Sequence, residues 1–129
     1  MSVTAITEEI RHIAETRLRT LLDEQSSVYG ALLSSIDGHR QASAMHKDLH
    51  TSKLAAMTSS VIALGESLAK EAEQSQCQFV IVQNRDGYIV TQRLGTNHAL
   101  TVFATATVSL GMLLSTIRIA AEDLHHYLA

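Results

Sequence analysis

The sequence predicts an α+β fold with the element order α-β-β-α-β-β-β-α. Three observations carry that prediction. Residues 77–106 hold three apolar, β-prone runs separated by the turn signals Asn84-Arg85-Asp86-Gly87 and Gly95-Thr96-Asn97-His98. Residues 28–44 hold a shorter pair of runs around Ile36-Asp37-Gly38. Three further stretches repeat apolar residues at helical spacing.

The first helix is expected over residues 4–24. Ile6, Ile10, Ile13, Ala14, Leu18 and Leu21 share one side, and Glu8 and Glu9 suit the positive end of the helix dipole. Arg17 falls inside the apolar arc. Its reading is a packed aliphatic stem under a solvated head, because no phosphate site is in view for an arginine finger to reach. After the short connection Gln25-Ser26-Ser27, Val28 to Ser35 reads as a strand and His39 to Ala44 as a second, more polar one.

Residues 45–50 read as a loop. His46, Asp48 and His50 alternate there, so an extended segment would put them on one side, and imidazole and carboxylate suit zinc. No HExxH spacing is present, and the other histidine pair, His125-His126, lies at the far end of the chain. A solvated polar loop is the better reading, and no metal is expected.

Thr51 or Ser52 is expected to cap the second helix, which runs to about Ala72. Its apolar positions, among them Leu54, Met57, Thr58, Val61, Ile62, Leu64 and Leu68, spread over roughly half the circumference of a wheel. One sheet needs a stripe of only about 100°. The excess implies two buried surfaces.

The meander of residues 77–106 follows, with strands over Phe79 to Val82, Tyr88 to Leu94 and Leu100 to Ala106. Gly30 to Leu33, Phe79 to Val82 and Leu100 to Phe103 are apolar at consecutive positions, which implies strands buried on both faces beneath helices. Thr107 or Ser109 then caps a third helix ending near Leu128. Its stripe of Leu110, Leu113, Leu114, Ile117, Ala121, Leu124 and Leu128 implies one buried face.

Composition narrows the function. The 129 residues make one domain's worth of chain, 46% hydrophobic and 18% charged. A formal net charge of -3 argues against nucleic acid as a partner. The single cysteine, Cys77, excludes an internal disulfide and points to a reducing compartment. Acidic residues near the amino terminus interrupt the apolar core that a signal peptide needs. Ala99 to Ile117 is uncharged, but six serines and threonines and a change of periodicity argue against a membrane span. The expectation is a soluble, cytoplasmic protein. There is no GxxxxGK loop and no recognisable nucleophile–base motif, so no catalytic residue and no cofactor is expected. Cys77 reads as a small buried or interfacial hydrophobe.

The chain resembles the roadblock/dynein light-chain family in its bacterial branch. The resemblance rests on Gly30-Ala31-Leu32-Leu33 running to Asp37-Gly38, on Lys53-Leu54-Ala55-Ala56-Met57, on Gly87-Tyr88-Ile89-Val90 and on Leu110-Gly111. It implies a single domain over 1–129 with a five-stranded antiparallel sheet in the order 2-1-5-4-3. The second helix would lie on one face and the first and third on the other. It further implies a homodimer joined through the second helices and third strands, and a role in binding or regulating a small Ras-like GTPase in polarity, motility or signalling. Ser34-Ser35 departs from the family pattern, where an aspartate is common, and Thr105 to Ser109 lacks the usual acidic loop.

The residues favour the same pairing. If the third strand is an edge, its run Cys77 to Gln83 is apolar and free of lysine and proline, an open template for another strand. The expected interface comprises Leu54, Met57, Val61, Leu64, Leu68, Gln78, Val80 and Val82. The outward side of the second helix, with Ser59, Glu66, Ser67 and Lys70, is the expected partner-docking surface. A structural adaptor that bridges larger proteins without affecting nucleotide turnover is the alternative.

Overall fold

The structure, a computed structural model, describes residues 6–128. Its elements are α1 (Glu8–Glu24), β1 (Val28–Ser35), β2 (Arg40–Met45), α2 (Thr51–Glu71), β3 (Phe79–Gln83), β4 (Gly87–Leu94), β5 (His98–Thr105) and α3 (Leu110–Leu128). Five strands form one antiparallel sheet in the order β2-β1-β5-β4-β3. The fold class and the sheet order are those expected.

The two faces of the sheet are filled differently. Alternation along the central strands sends Ala31, Leu33, Leu100, Val102 and Ala104 into a large core beneath α1 and α3. Those helices add Ala14, Leu18, Leu21 and Leu22, and Leu113, Ile117, Ala120, Ala121 and Leu124. Each fully buried aliphatic side chain there contributes about 2 kcal/mol of transfer free energy. The opposite face carries α2 over a small cluster in which Leu32, Ala55 and Phe103 are buried. Beside it Thr91 and Thr101, directly paired across β4 and β5, share a buried hydroxyl–hydroxyl bond of 3.1 Å.

Turn chemistry sets the strand connections. Gly38, at φ +97°, closes the β1–β2 turn in a region that side chains rarely adopt. Between β3 and β4 only Arg85 and Asp86 separate Asn84 and Gly87, whose backbones exchange hydrogen bonds of 2.8 and 3.4 Å. An added Cβ at Gly87 would lie 2.0 Å from the Ala104 carbonyl oxygen, so only glycine lets β4 start against β5 there.

Several boundaries differ from expectation. The expected start of the first helix at residue 4 lies outside the described residues. The helix itself begins at Glu8, because the Thr7 hydroxyl accepts the Ile10 amide at 3.1 Å and fixes the turn there. Neither Thr51 nor Ser52 caps α2. His50 holds that position, and no side chain bonds the free amides. Ser109 does cap α3, accepting from the Met112 amide at 3.3 Å. β2 is shifted by one residue, to Arg40–Met45.

One burial expectation is corrected. Val80 is only half-buried and Ile81 and Val82 are 40% and 38% exposed, so β3 is not covered on both faces as its apolar run suggested. It is the sheet's edge, and among the described residues no further strand lies beside it. The third helix buries one face, as expected. Met112, Ile119 and Tyr127 stand out into solvent, away from the stripe that meets the sheet.

Arg17 keeps the packed stem expected of it, but its head is not solvated: the side chain is 19% exposed and Nη1 is buried. Its Nε donates to Asp123 Oδ2 at 2.9 Å, which ties α1 to α3 while the stem stays mostly covered.

Candidate interaction surface

α2 presents three sides. Ala55, Thr58 and Ile62 meet the sheet and are buried. About a third of a turn away, Leu54, Met57, Val61, Leu64 and Leu68 form a stripe at heptad-like spacing. Met57, Leu64 and Leu68 on it are 54%, 62% and 63% exposed.

This stripe runs beside the open edge. Pairing of Val80 with Thr91 and of Val82 with Ile89 puts Val80 and Val82 on the α2 face of β3. Gly65 makes the approach close. A Cβ there would come within 2.7 Å of Cys77 Sγ and 3.2 Å of Val80 Cγ2. Between helix and strand lies a groove of about 710 Å³ lined by Gly65, Leu68, Ala69, Cys77, Val80 and Ile81 among others. Of the expected interface residues, Leu68, Gln78 and Val80 line this one groove, with Gln78 exposed, while Leu54 packs against the cluster beneath the helix.

The four expected docking residues divide. Ser67 and Lys70 are exposed. Ser59 and Glu66, expected to be exposed as well, are half-buried and engaged with the chain's own backbone and side chains. The Ser59 hydroxyl donates to the Ile36 carbonyl at 2.6 Å, holding the first turns of α2 over the β1–β2 turn. Glu66 Oε1 lies 2.6 Å from Arg93 Nη1, and Arg93 Nε donates to the Gly95 carbonyl at 3.1 Å. Arg93 was not singled out from the sequence. The period-2 alternation of β4, which puts Arg93 on the same side as Ile89 and Thr91, was the signal.

Two titrations bear on chemistry near this surface. Burial, followed by the charge of Glu66, pushes the Cys77 thiol up, and Arg93 pulls it back only in part. A thiol held protonated is a poor nucleophile. At the β1–β2 turn the Ser35 hydroxyl donates to Asp37 Oδ1 and accepts the His39 amide at 3.0 Å. That hydroxyl first, and the nearby His39 second, hold the Asp37 carboxyl below its usual range.

His46, Asp48 and His50 are exposed in the loop before α2. Among the described residues no group of three or more His, Cys, Asp or Glu side chains converges on one point. No helix of the described residues is long and apolar enough to cross a membrane. What the surface offers is apolar area, an unpaired strand edge and a few oriented polar groups, the components of a protein–protein contact.

Helices lie on both faces of a five-stranded antiparallel sheet, and one sheet edge and one flank of α2 are left apolar. The comparisons give the family. The Roadblock/LC7 domain matches residues 16–104, and the chain belongs to that family. A solved MglB with a tetrameric arrangement superposes with a TM-score of 0.88 at 22% identity, over 96% of this chain and 93% of that one. The gliding protein MglB of Thermus thermophilus gives 0.87 at 20% identity, over 96% and 94%. MglB of Myxococcus xanthus gives 0.85 at 20%, over 94% and 90%. At these identities the likeness is one of fold. No curated protein matches the sequence.

Proposed function

We propose that this chain is a non-catalytic, homodimeric regulator or docking module for a small Ras-like GTPase, acting in the cytoplasm in a bacterial polarity, motility or signalling system. Residues 1–129 form one roadblock domain in this reading. The observation that carries it is the continuity of the open β3 edge with the exposed stripe of α2. A two-fold axis beside β3 would pair two such edges and bury Met57, Leu64 and Leu68 of both copies together. Membership of the Roadblock/LC7 family supports the GTPase as partner, since the bacterial branch that the sequence resembles binds such proteins.

The paired α2 helices then present their outward side to the GTPase. Ser67 and Lys70 are free to meet it, while Ser59 and Glu66 fix the height and rotation of the helix.

The test is a mixing experiment with small Ras-like GTPases of the same organism. Addition of the protein changes nucleotide affinity or GTP turnover, and Lys70→Glu weakens the effect. Binding with unchanged hydrolysis makes the protein an adaptor, and absence of binding removes the GTPase reading.

A further inference from the structure

We propose that α2 seats firmly on the sheet only when two copies join, so that the partner-docking surface is a property of the dimer and not of the single chain. The proposal rests on the homodimer reading above and concerns how its docking site is regulated.

Four independent features make α2 the weakly held element. It is the longest helix, 21 residues, yet it buries only Ala55, Thr58 and Ile62. The shorter α1 and α3 bury four and five residues, among them Leu18, Leu21, Leu113 and Leu124. Helices in proteins draw most of their stability from such packing, so the comparison decides which one loosens first.

Its ends are poor as well. No side chain caps the amino-terminal amides. At the other end Gln74 N donates to the Ala69 carbonyl at 2.8 Å and Glu73 N to the Lys70 carbonyl at 3.1 Å, a Schellman turn. That turn requires φ > 0, and Glu73 occupies it at φ +59° where glycine is favoured.

The floor beneath α2 is thin and partly polar, with Leu32 and Phe103 flanked by the Thr91–Thr101 hydroxyl pair. The side-chain tethers, Ser59 to Ile36 and Glu66 to Arg93, lie at half-buried positions open to water. Against this, Met57, Leu64 and Leu68 stand 54%, 62% and 63% exposed on the flank of α2 that a second copy would cover. Joining therefore supplies the packing that the helix lacks. By linkage, a GTPase bound to α2 tightens the dimer, and the dimer binds the GTPase more tightly than the single chain by the same factor.

The experiment is hydrogen exchange read by mass spectrometry on the full chain, with light scattering as an independent measure of assembly. Val82→Lys lies on β3, outside the helix, at a side chain 38% exposed, and is expected to give single chains. In them the α2 amides exchange roughly 100-fold faster than in the wild type, while α1, α3, β1 and β5 keep their protection. Adding His50→Asp and Glu73→Gly restores α2 protection without restoring the dimer. If Val82→Lys loses protection throughout, wild type diluted below its dissociation constant takes its place under the same criterion. Single chains in which α2 is as protected as α3 overturn the proposal. Wild type that scatters as one chain at every concentration instead overturns the dimer reading, a separate readout.

Discussion

Arg93 Nη1 stands 2.6 Å from Glu66 Oε1 and joins α2 to β4 beside the open edge of the sheet. Their side chains keep 19% and 34% of their surface, so water screens the pair and its worth is modest. Glu66→Gln is expected to lower the free energy of unfolding by about 0.5–1 kcal/mol. Arg93→Ala, which also removes a mostly covered stem and the bond to the Gly95 carbonyl, costs more. Urea unfolding of both variants checks the order. Equal stability of Arg93→Ala and wild type would show that the bond does not hold the helix.

Leu68→Asp and Val80→Lys each put a charge on the surface shared by α2 and β3. Leu68 is 63% exposed, so the fold of one chain tolerates the change. Each is expected to raise the dimer dissociation constant at least about 100-fold, equivalent to roughly 2.8 kcal/mol. Light scattering across a dilution series reads this directly. Two variants that stay dimeric at wild-type strength would place the interface elsewhere.

Asp37 makes the β1–β2 turn sensitive to acid. The Ser35 hydroxyl and then His39 favour its ionised form in the fold, so its folded pKa lies below the ordinary 3.8. A carboxyl lowered in this way stabilises the fold fully above pH 3.8 and loses that contribution as pH falls from there through the folded value. Asp37→Asn should be less stable than wild type at pH 7, and the gap should close on acidification below pH 4. A gap that stays constant over that range would assign the difference to the amide's geometry rather than to charge.

Glu73 ends α2 in the left-handed region. Glu73→Gly keeps the Schellman turn and removes the Cβ conflict, for a gain of about 1 kcal/mol less a few tenths lost to the freer unfolded chain. For a chain of this size the melting midpoint rises by about 3 °C. A lower midpoint would mean that the Glu73 side chain makes a contact worth more than the strain.

Much of the fold was legible because the punctuation was strong. Gly38, the Asn84–Gly87 turn and Gly95 divide runs such as Ala31 to Leu33 and Leu100 to Phe103, which are central strands beneath helices, although the same pattern in Phe79 to Val82 belongs to an edge. The order of the strands was different. It came with the family resemblance, since local pattern does not say which strand follows β1 across the sheet. Caps were half legible. Thr7 and Ser109 use their side chains as their type suggests, whereas Thr51 and Ser52 lie inside α2 and His50 occupies the cap.

The interaction surface was legible as a stripe but not as a boundary. A helical wheel gives the angle of Ser59 and Glu66 without giving the position of the β1–β2 turn or of Arg93, so it showed as free two residues that the sheet engages. Met112, Ile119 and Tyr127 were missed for a related reason. The continuous stripe of Leu113, Ile117 and Leu124 accounts for one buried face so well that apolar residues off it drew no notice.

The two ends of the sheet are unequal in a way that limits growth. β2 starts with the exposed Arg40, and its pairing with β1 is broken by a register shift between Leu33 and Ser34, both of which discourage another strand from adding there. β3 has neither device. In the language of polymer chemistry the sheet is monofunctional: it has one reactive end and one stopped end. Any union through β3 consumes the only growing point of each member, so strand addition halts at a pair and cannot run on into a fibre.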